Sequence, residues 1–137
     1  SVKLDTNGTF PEKLKELVNE GLVDYVAMDI KNSKAKYEET AGINNLDLSK
    51  IEESVDFLIN GNIDFEFRTT VVNEFHTVED IQDIVVWIKG AHKYFLQNFV
   101  DSGQLIDSSC KGVNKATMYE MLGVVRKYIP HAEIRGI

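Results

Sequence analysis

The chain has 137 residues, 43% of them apolar and 27% charged, so it is long enough to bury one hydrophobic core. Its formal net charge of −7 argues against a nucleic-acid-binding surface, because duplex binding needs clustered Lys and Arg. No apolar run approaches the ~18 residues that span a bilayer and no signal peptide opens the chain, so we expect a soluble, cytoplasmic protein with no membrane contact.

The first third of the chain predicts a strand, a helix and a second strand. Residues 2–4 end a strand, and residues 5–9 form a turn around Asn-Gly. A helix capped by Thr9 then runs to Gly21. Residues 22–31, rich in Val, Tyr and Ile, form the next strand. This order is a βαβ crossover, which places the two strands side by side in parallel.

Alternation divides the second strand into two faces, because successive side chains of an extended chain point to opposite sides. One face carries Tyr25, Ala27, Asp29 and Lys31. A carboxylate and an ammonium at the carboxyl end of an apolar strand are costly to bury unless they pair or bind something. An internal Asp29–Lys31 ion pair and a ligand site explain the pattern about equally well.

Helices and strands continue to alternate along the rest of the chain. In order, the pattern predicts a short helix or ordered loop at 34–41, a helix from Asp47 to Gly61, a strand at 63–72, a helix from a Thr77–Asp80 capping box to Gly90, a strand at 94–99, a polar loop at 100–115, a helix stopped by Pro130 and a short strand at 132–135. Five strands cannot close an eight-stranded barrel, and their polar faces favour a curved sheet. We therefore predict an α/β fold: one domain over 1–137, a partial (β/α) barrel with an open, mostly parallel sheet and helices on its outer face.

Polar residues recur where successive strands end. They are Asp5 and Thr6, then Asp29 and Lys31, then Arg68 and Thr70, then Gln97 and Asn98. Adjacent strands lie roughly 4.8 Å apart, so these groups should share one rim. Two carboxylates with a Lys and an Arg suit a small zwitterionic ligand, because the cations bind a carboxylate while the Asp side chains accept from ammonium or hydroxyl groups or hold a metal ion.

Other familiar sites are not predicted. No Gly-rich phosphate loop or nucleophile elbow is present. Cys110, the one cysteine, is predicted to be a free thiol in a loop and excludes an intrachain disulfide. His76, His92 and His131 have no metal-ligand spacing; we interpret all three as surface residues, although His76 is within reach of the rim.

Four motifs, in order along the chain, carry a resemblance to a known family. They are LDTNG at 4–8, VDYVAMDIK at 23–31, FRTTVV at 67–72 and EIRG at 133–136. Together they resemble the strand motifs of the radical S-adenosylmethionine activating enzymes of glycyl-radical proteins. The match is nearest to the branch that acts on anaerobic ribonucleotide reductase, with the pyruvate formate-lyase branch as its sibling.

The resemblance implies a partial barrel that binds S-adenosylmethionine and a 4Fe-4S cluster and generates a 5′-deoxyadenosyl radical. It implies that Asp5, Thr6 and Asp29 lie near the methionyl end of the ligand, with a monovalent cation, and that Lys31 and Arg68 contact its ribose or carboxylate. It further implies a glycyl-radical enzyme as protein substrate and an electron donor such as flavodoxin or ferredoxin.

The chain also departs from the family pattern. The CxxxCxxC cluster motif and the glycine-rich motif are absent, so this fragment by itself should be inactive. Because the chain opens on a strand without a Met, we expect an N-terminal cluster-binding part to precede it, and an exposed first strand that permits self-association. Asn73-Glu74 replaces a Pro-Gly pair, which predicts a loop of different shape.

Two alternatives remain open. The same half-barrel without a cluster is a non-catalytic binding or scaffold module in which the rim charges neutralise one another. A small-molecule aldolase or hydrolase with Lys31 as nucleophile ranks last, because the neighbouring Asp29 keeps the ammonium charged.

Overall fold

A computed structural model of the chain describes residues 2–100 and 110–135. Five strands form one parallel sheet in sequential order β1-β2-β3-β4-β5. The strands are β1 (Lys3–Thr6), β2 (Tyr25–Asp29), β3 (Asp64–Val71), β4 (Tyr94–Asn98) and β5 (Glu133–Arg135). Five α-helices connect them: α1 (Pro11–Asn19), α2 (Tyr37–Ala41, after a 3₁₀ turn at Lys34–Lys36), α3 (Leu48–Asn60), α4 (Val78–Ile88) and α5 (Lys115–Arg126).

The sequential strand order determines where the helices lie. Parallel strands joined in order by right-handed crossovers place every connecting helix on the same face, whereas a doubly wound sheet reverses its order and covers both faces. The fold is therefore wound as a partial (β/α) barrel, which confirms the predicted α/β class. No helix among the described residues is long and apolar enough to cross a membrane.

The hydrophobic core lies between the sheet and the helices. Alternate residues of the central strands are fully buried there against apolar stripes of the helices. The strand residues of this core are Val26, Met28, Phe67, Val71, Tyr94 and Leu96, and the helical ones include Val55, Leu58, Ile84, Ile88, Met118 and Val125. The other face of the sheet carries the charged residues, as the alternation predicts.

Several element boundaries differ from the sequence prediction. β1 extends through Asp5 and Thr6 instead of turning there, because both residues pair with β2. β2 is shorter than predicted, beginning only at Tyr25. Thr9 does not cap α1: Pro11 is the first helical residue, which makes Phe10 the N-cap, and no side-chain capping bond forms. Asp47 and the Thr77–Asp80 capping box cap their helices as predicted.

Asp80 should stabilise the fold through its charge. Its carboxylate accepts from the Thr77 N–H and hydroxyl and from Lys36 Nζ, each at 2.9 Å. Burial raises the pKa of Asp80, but the bonds from Lys36 and Thr77 outweigh burial and hold the pKa below its usual 3.8. A depressed carboxyl pKa stabilises the folded state above the unfolded pKa, and this contribution is lost as pH falls through the folded value.

We therefore expect Asp80→Asn to lower the free energy of unfolding by about 1–2 kcal/mol at pH 7. Urea unfolding measured from pH 7 to pH 3 should show the difference from the wild type shrinking below about pH 4. Asp83→Asn, an exposed carboxylate on the same helix, is the control for charge alone. A deficit that stays constant across this range would contradict the proposed role of the charge.

Candidate functional site

Four charged side chains from three adjacent strands meet at the carboxyl end of the sheet. β1, β2 and β3 lie side by side, and Asp29 is in register with Arg68. Arg68 Nη2 lies 3.7 Å from Asp5 Oδ1, and Arg68 Nε lies 3.9 Å from Asp29 Oδ1. Lys31 Nζ donates to Asp29 Oδ2 at 2.8 Å. We call Asp5, Asp29, Lys31 and Arg68 the charged rim; the sequence analysis predicted that these residues converge.

The two cations of the charged rim are held differently. Lys31 makes a true hydrogen-bonded ion pair with Asp29, so the internal pair considered from the sequence does form. Arg68 contacts its two carboxylates only beyond hydrogen-bond distance, and its guanidinium makes no hydrogen bond with residues 2–100 and 110–135. Because its side chain is only 30% exposed, Arg68 presents directional N–H donors in a partly desolvated position, which suits a bound carboxylate or hydroxyl.

Some of the other residues predicted for the rim lie outside it. Thr6 lies on the opposite face of β1 from Asp5, and its hydroxyl accepts the Gly8 N–H at 3.1 Å. The Thr6 side chain therefore faces away from Asp5 and does not join the charged rim. Within the described part of the chain, no group of three or more His, Cys, Asp or Glu side chains is placed to hold a metal ion.

Residues at the ends of β3 and β4 have separate roles. Thr70 and Gln97 are exposed and in register with each other. Asn98 instead donates to the Val113 carbonyl at 2.7 Å and accepts the Val113 N–H at 2.9 Å, so it fixes the chain segment before α5. Gly112 is required in this segment, because a Cβ there would collide with the Phe99 carbonyl and the Asn98 amide.

The loop after β3 is fixed to the same segment. Glu74 accepts the Lys111 N–H at 2.6 Å, and the Asn73 N–H donates to the Lys111 carbonyl at 2.7 Å. The bond from the Lys111 backbone holds the pKa of Glu74 below its usual range. Cys110, which directly precedes Lys111, is a partly buried free thiol. Most of the predicted polar loop at 100–115 lies outside the described residues.

A second charged cluster occupies the polar face, and the sequence analysis did not identify it. Glu66 is 2% exposed. Its carboxylate accepts from Arg135 Nη1 at 2.9 Å, Arg135 Nη2 at 3.3 Å and the Tyr25 hydroxyl at 2.9 Å. The Arg135 guanidinium lies 3.5 Å from the centre of the Phe95 ring. We call Glu66, Arg135, Tyr25 and Phe95 the Glu66 cluster. Burial, followed by the bond to Glu66, raises the pKa of Tyr25 to about 12.

The Glu66 cluster spans four strands. Glu66 lies on β3 and Arg135 on β5, so the ion pair crosses β4 over the Phe95 ring. Glu66 is two residues before Arg68 on the same face of β3 and is one layer deeper in the sheet. The Glu66 cluster therefore lies on the same face of the sheet as the charged rim and directly beside it. Its only sequence signal was that Glu66 shares the polar face of β3 and that Arg135 falls in the last strand motif.

The prediction that His76 is a surface residue is wrong. His76 is 3% exposed and lies between the ends of β2 and β3. Its Nδ1 accepts the Val72 N–H at 3.0 Å and its Nε2 donates to the Lys31 carbonyl at 2.7 Å. Burial lowers the pKa of His76, so the neutral ring is favoured. His92 and His131 are exposed, as predicted.

The chain is similar to known proteins in both sequence and fold. No protein-family model matches it. The chain is 34% identical over 142 aligned positions to a protein of Methanocaldococcus jannaschii whose assumed role is that of a glycyl-radical enzyme activating enzyme. That alignment covers 99% of this chain and 59% of the relative, so the chain spans well under two thirds of the relative's length.

A solved structure shares the fold. The crystal structure of a domain of pyruvate-formate lyase-activating enzyme from Bacteroides vulgatus superposes with a TM-score of 0.68, covering 98% of this chain and 80% of that one. The sequence identity is 12%, so this likeness supports the architecture alone. This likeness agrees with the α/β architecture described above.

Proposed function

We propose that this chain is part of a radical S-adenosylmethionine enzyme that activates a glycyl-radical protein, with anaerobic ribonucleotide reductase as the protein substrate. The observation that carries the proposal is the charged rim, where Arg68 lies between Asp5 and Asp29 with its N–H donors not engaged by the described residues. The M. jannaschii relative supports the reaction class. The choice of reductase over pyruvate formate-lyase rests on the strand motifs of the sequence.

The donor set of the charged rim fits S-adenosylmethionine. The ligand carries a carboxylate and an ammonium at its methionyl end and two hydroxyls on its ribose. Arg68 and Lys31 supply cations for the carboxylate or hydroxyl oxygens, and Asp5, which is 63% exposed, supplies an acceptor for ammonium or hydroxyl. Asp29 holds Lys31 in place and balances its charge. By the same resemblance, we propose that Asp5, Thr6 and Asp29 hold a monovalent cation near this end, with the carboxylates supplying hard oxygen ligands.

The residues of this chain do not fit a 4Fe-4S cluster. Such a cluster needs several thiolates, and the sequence contains one cysteine. We assign the cluster to a part of the longer protein outside these residues, consistent with the greater length of the relative. When bound, the reduced cluster would supply the one electron that cleaves the C5′–S bond of S-adenosylmethionine to methionine and a 5′-deoxyadenosyl radical, and this radical would take a hydrogen atom from the partner protein. Within this chain, the sheet binds and orients the ligand and excludes water from its buried side.

The proposed partners follow from this reaction. They are a glycyl-radical enzyme as protein substrate and a flavodoxin or ferredoxin as electron donor, all in the cytoplasm. A second candidate is a non-catalytic half-barrel module, and the Lys31–Asp29 ion pair favours it, because an internally neutralised rim has less need of a ligand.

One experiment separates the two candidates. The full-length protein, expressed from the complete gene and reconstituted anaerobically with iron and sulfide, should give an electron paramagnetic resonance signal of a reduced 4Fe-4S cluster. It should also cleave S-adenosylmethionine to 5′-deoxyadenosine when dithionite is added. Failure of both signals, or a gene without a cysteine triad upstream of these residues, would establish the scaffold module instead.

A further inference from the structure

Three successive backbone carbonyls at the end of β2 accept hydrogen bonds from side chains. The Asp29 carbonyl accepts from the Tyr37 hydroxyl at 3.3 Å, the Ile30 carbonyl from the Thr69 hydroxyl at 2.7 Å, and the Lys31 carbonyl from His76 Nε2 at 2.7 Å. We call Tyr37, Thr69 and His76 the carbonyl clamp. All three side chains are buried, so each bond is made away from competing water.

The carbonyl clamp begins where the pairing of β2 with β3 ends. Asp29 is the last residue of β2 that is paired with β3. Beyond it one backbone bond remains, from the Ile30 N–H to the Arg68 carbonyl at 2.8 Å. The backbone of Lys31 is therefore held chiefly by His76. Since Lys31 Nζ meets Asp29 Oδ2, a shift of that backbone would disturb the ion pair.

His76 is itself held rigidly. The Val72 N–H donates to Nδ1, which leaves the proton on Nε2 and directs it to the Lys31 carbonyl. The ring thus joins the end of β2 to the end of β3, the strand that carries Arg68. Asp80 and Lys36 are the charged groups that influence its pKa, and they neutralise each other in an ion pair at 2.9 Å.

The neighbouring Thr69 is supported in the same way. The Tyr94 hydroxyl donates to Thr69 Oγ1 at 2.6 Å, and the Thr69 hydroxyl in turn donates to the Ile30 carbonyl. Burial raises the pKa of the Tyr94 phenol, so it remains a donor. The amide of Asn32 adds a bond to the Phe75 carbonyl at 2.9 Å, which ties the loop after β2 to the loop that carries His76.

We propose that His76 is a positioning residue for the charged rim, acting on Lys31 and Asp29 through the Lys31 carbonyl, and that this bond sets the affinity for S-adenosylmethionine. The inference rests on the proposed function, because it takes the charged rim as the ligand site. It predicts that only one of the two hydrogen bonds of His76 matters for binding, although both matter for folding.

Two conservative variants of the full-length protein separate these bonds. The amide of His76→Gln replaces Nε2 and keeps the donation to the Lys31 carbonyl, whereas the shorter amide of His76→Asn replaces Nδ1 and keeps only the bond with the Val72 N–H. By calorimetric titration, we expect the Kd for S-adenosylmethionine to stay within about twofold of wild type for His76→Gln. For His76→Asn we expect it to rise about five- to tenfold.

Thermal unfolding gives the structural readout, and both variants should melt below the wild type. If Kd rises equally in both variants, or is unchanged in His76→Asn, the positioning role is overturned. Thr69→Val, which removes the donor to the Ile30 carbonyl and keeps the side-chain shape, is the second variant if His76→Asn does not fold, with an expected rise of about threefold. A wild-type protein that does not bind S-adenosylmethionine overturns the proposed function instead.

Discussion

Replacing Arg68 with alanine should weaken binding of S-adenosylmethionine to the full-length protein by about 1–3 kcal/mol, or roughly 5- to 150-fold in Kd. Arg68 stands between Asp5 and Asp29 at 3.7 and 3.9 Å, which is close enough for charge attraction but too far for a hydrogen bond. Its N–H groups are therefore available to a ligand, and the two carboxylates keep the guanidinium in place without competing for its donors.

The removal of Arg68 also leaves a surplus of negative charge. Lys31 alone would then face two carboxylates, so the carboxylate of the ligand would meet repulsion where it now meets a cation. The Kd of Arg68→Lys should fall between those of the wild type and Arg68→Ala. The lysine ammonium keeps the positive charge but lacks the planar fork of N–H donors.

Arg126→Ala is the matched control. Arg126 lies at the far end of α5 and donates from Nε to the Ala132 carbonyl at 2.9 Å. The substitution therefore removes a guanidinium from the helical layer rather than from the charged rim. It should lower the melting temperature without changing Kd. Equal affinities of Arg68→Ala and the wild type, measured by calorimetric titration, would show that the charged rim does not bind the ligand.

The charged rim was predictable because it depends on two regular features. Side chains alternate along a strand, and the carboxyl ends of parallel strands meet at one edge. Asp29 stands two residues and Arg68 four residues before the predicted ends of their strands, and in the structure they are in register. No knowledge of the loops was needed to bring them together.

The burial of His76 was not predictable from its neighbours. The residues before it, Asn73 to Phe75, begin with a polar pair and lie between a strand and a capping box, which is typical of a surface loop. Its environment is made by the end of β2, over forty positions earlier in the chain, whose carbonyls need donors where the sheet ends. Thr9 does not cap α1 for a local reason. Pro11 is the first helical residue, so Phe10 takes the N-cap position and Thr9 lies one residue before it.

The Glu66 cluster was missed for a third reason. Its members come from four strands, and Glu66 and Arg135 are 69 positions apart. Their pairing requires β4 to lie between them with Phe95 underneath the guanidinium, which no spacing rule expresses. Alternation placed Tyr25 on the correct face of β2, but it did not reveal that Tyr25 donates to Glu66.

The same cluster gives the largest stability effect that we expect. Arg135→Ala should lower the free energy of unfolding of the full-length protein by roughly 3 kcal/mol, because it leaves the buried carboxylate of Glu66 without its cation. This value is the low end of the range of destabilisation for a broken buried ion pair, because the Arg135 side chain is 43% exposed and the Tyr25 hydroxyl still donates to Glu66.

Urea unfolding of three variants tests this reasoning. Lys34→Ala breaks the Lys34–Glu52 pair, whose side chains are 47% and 40% exposed, and should change stability by less than about 1 kcal/mol. Glu66→Gln in the Arg135→Ala background should restore part of the loss, because a neutral amide is less costly to bury than an unpaired carboxylate. If the double variant is no more stable than Arg135→Ala, the loss comes from the packing of Arg135 on Phe95 rather than from the buried charge.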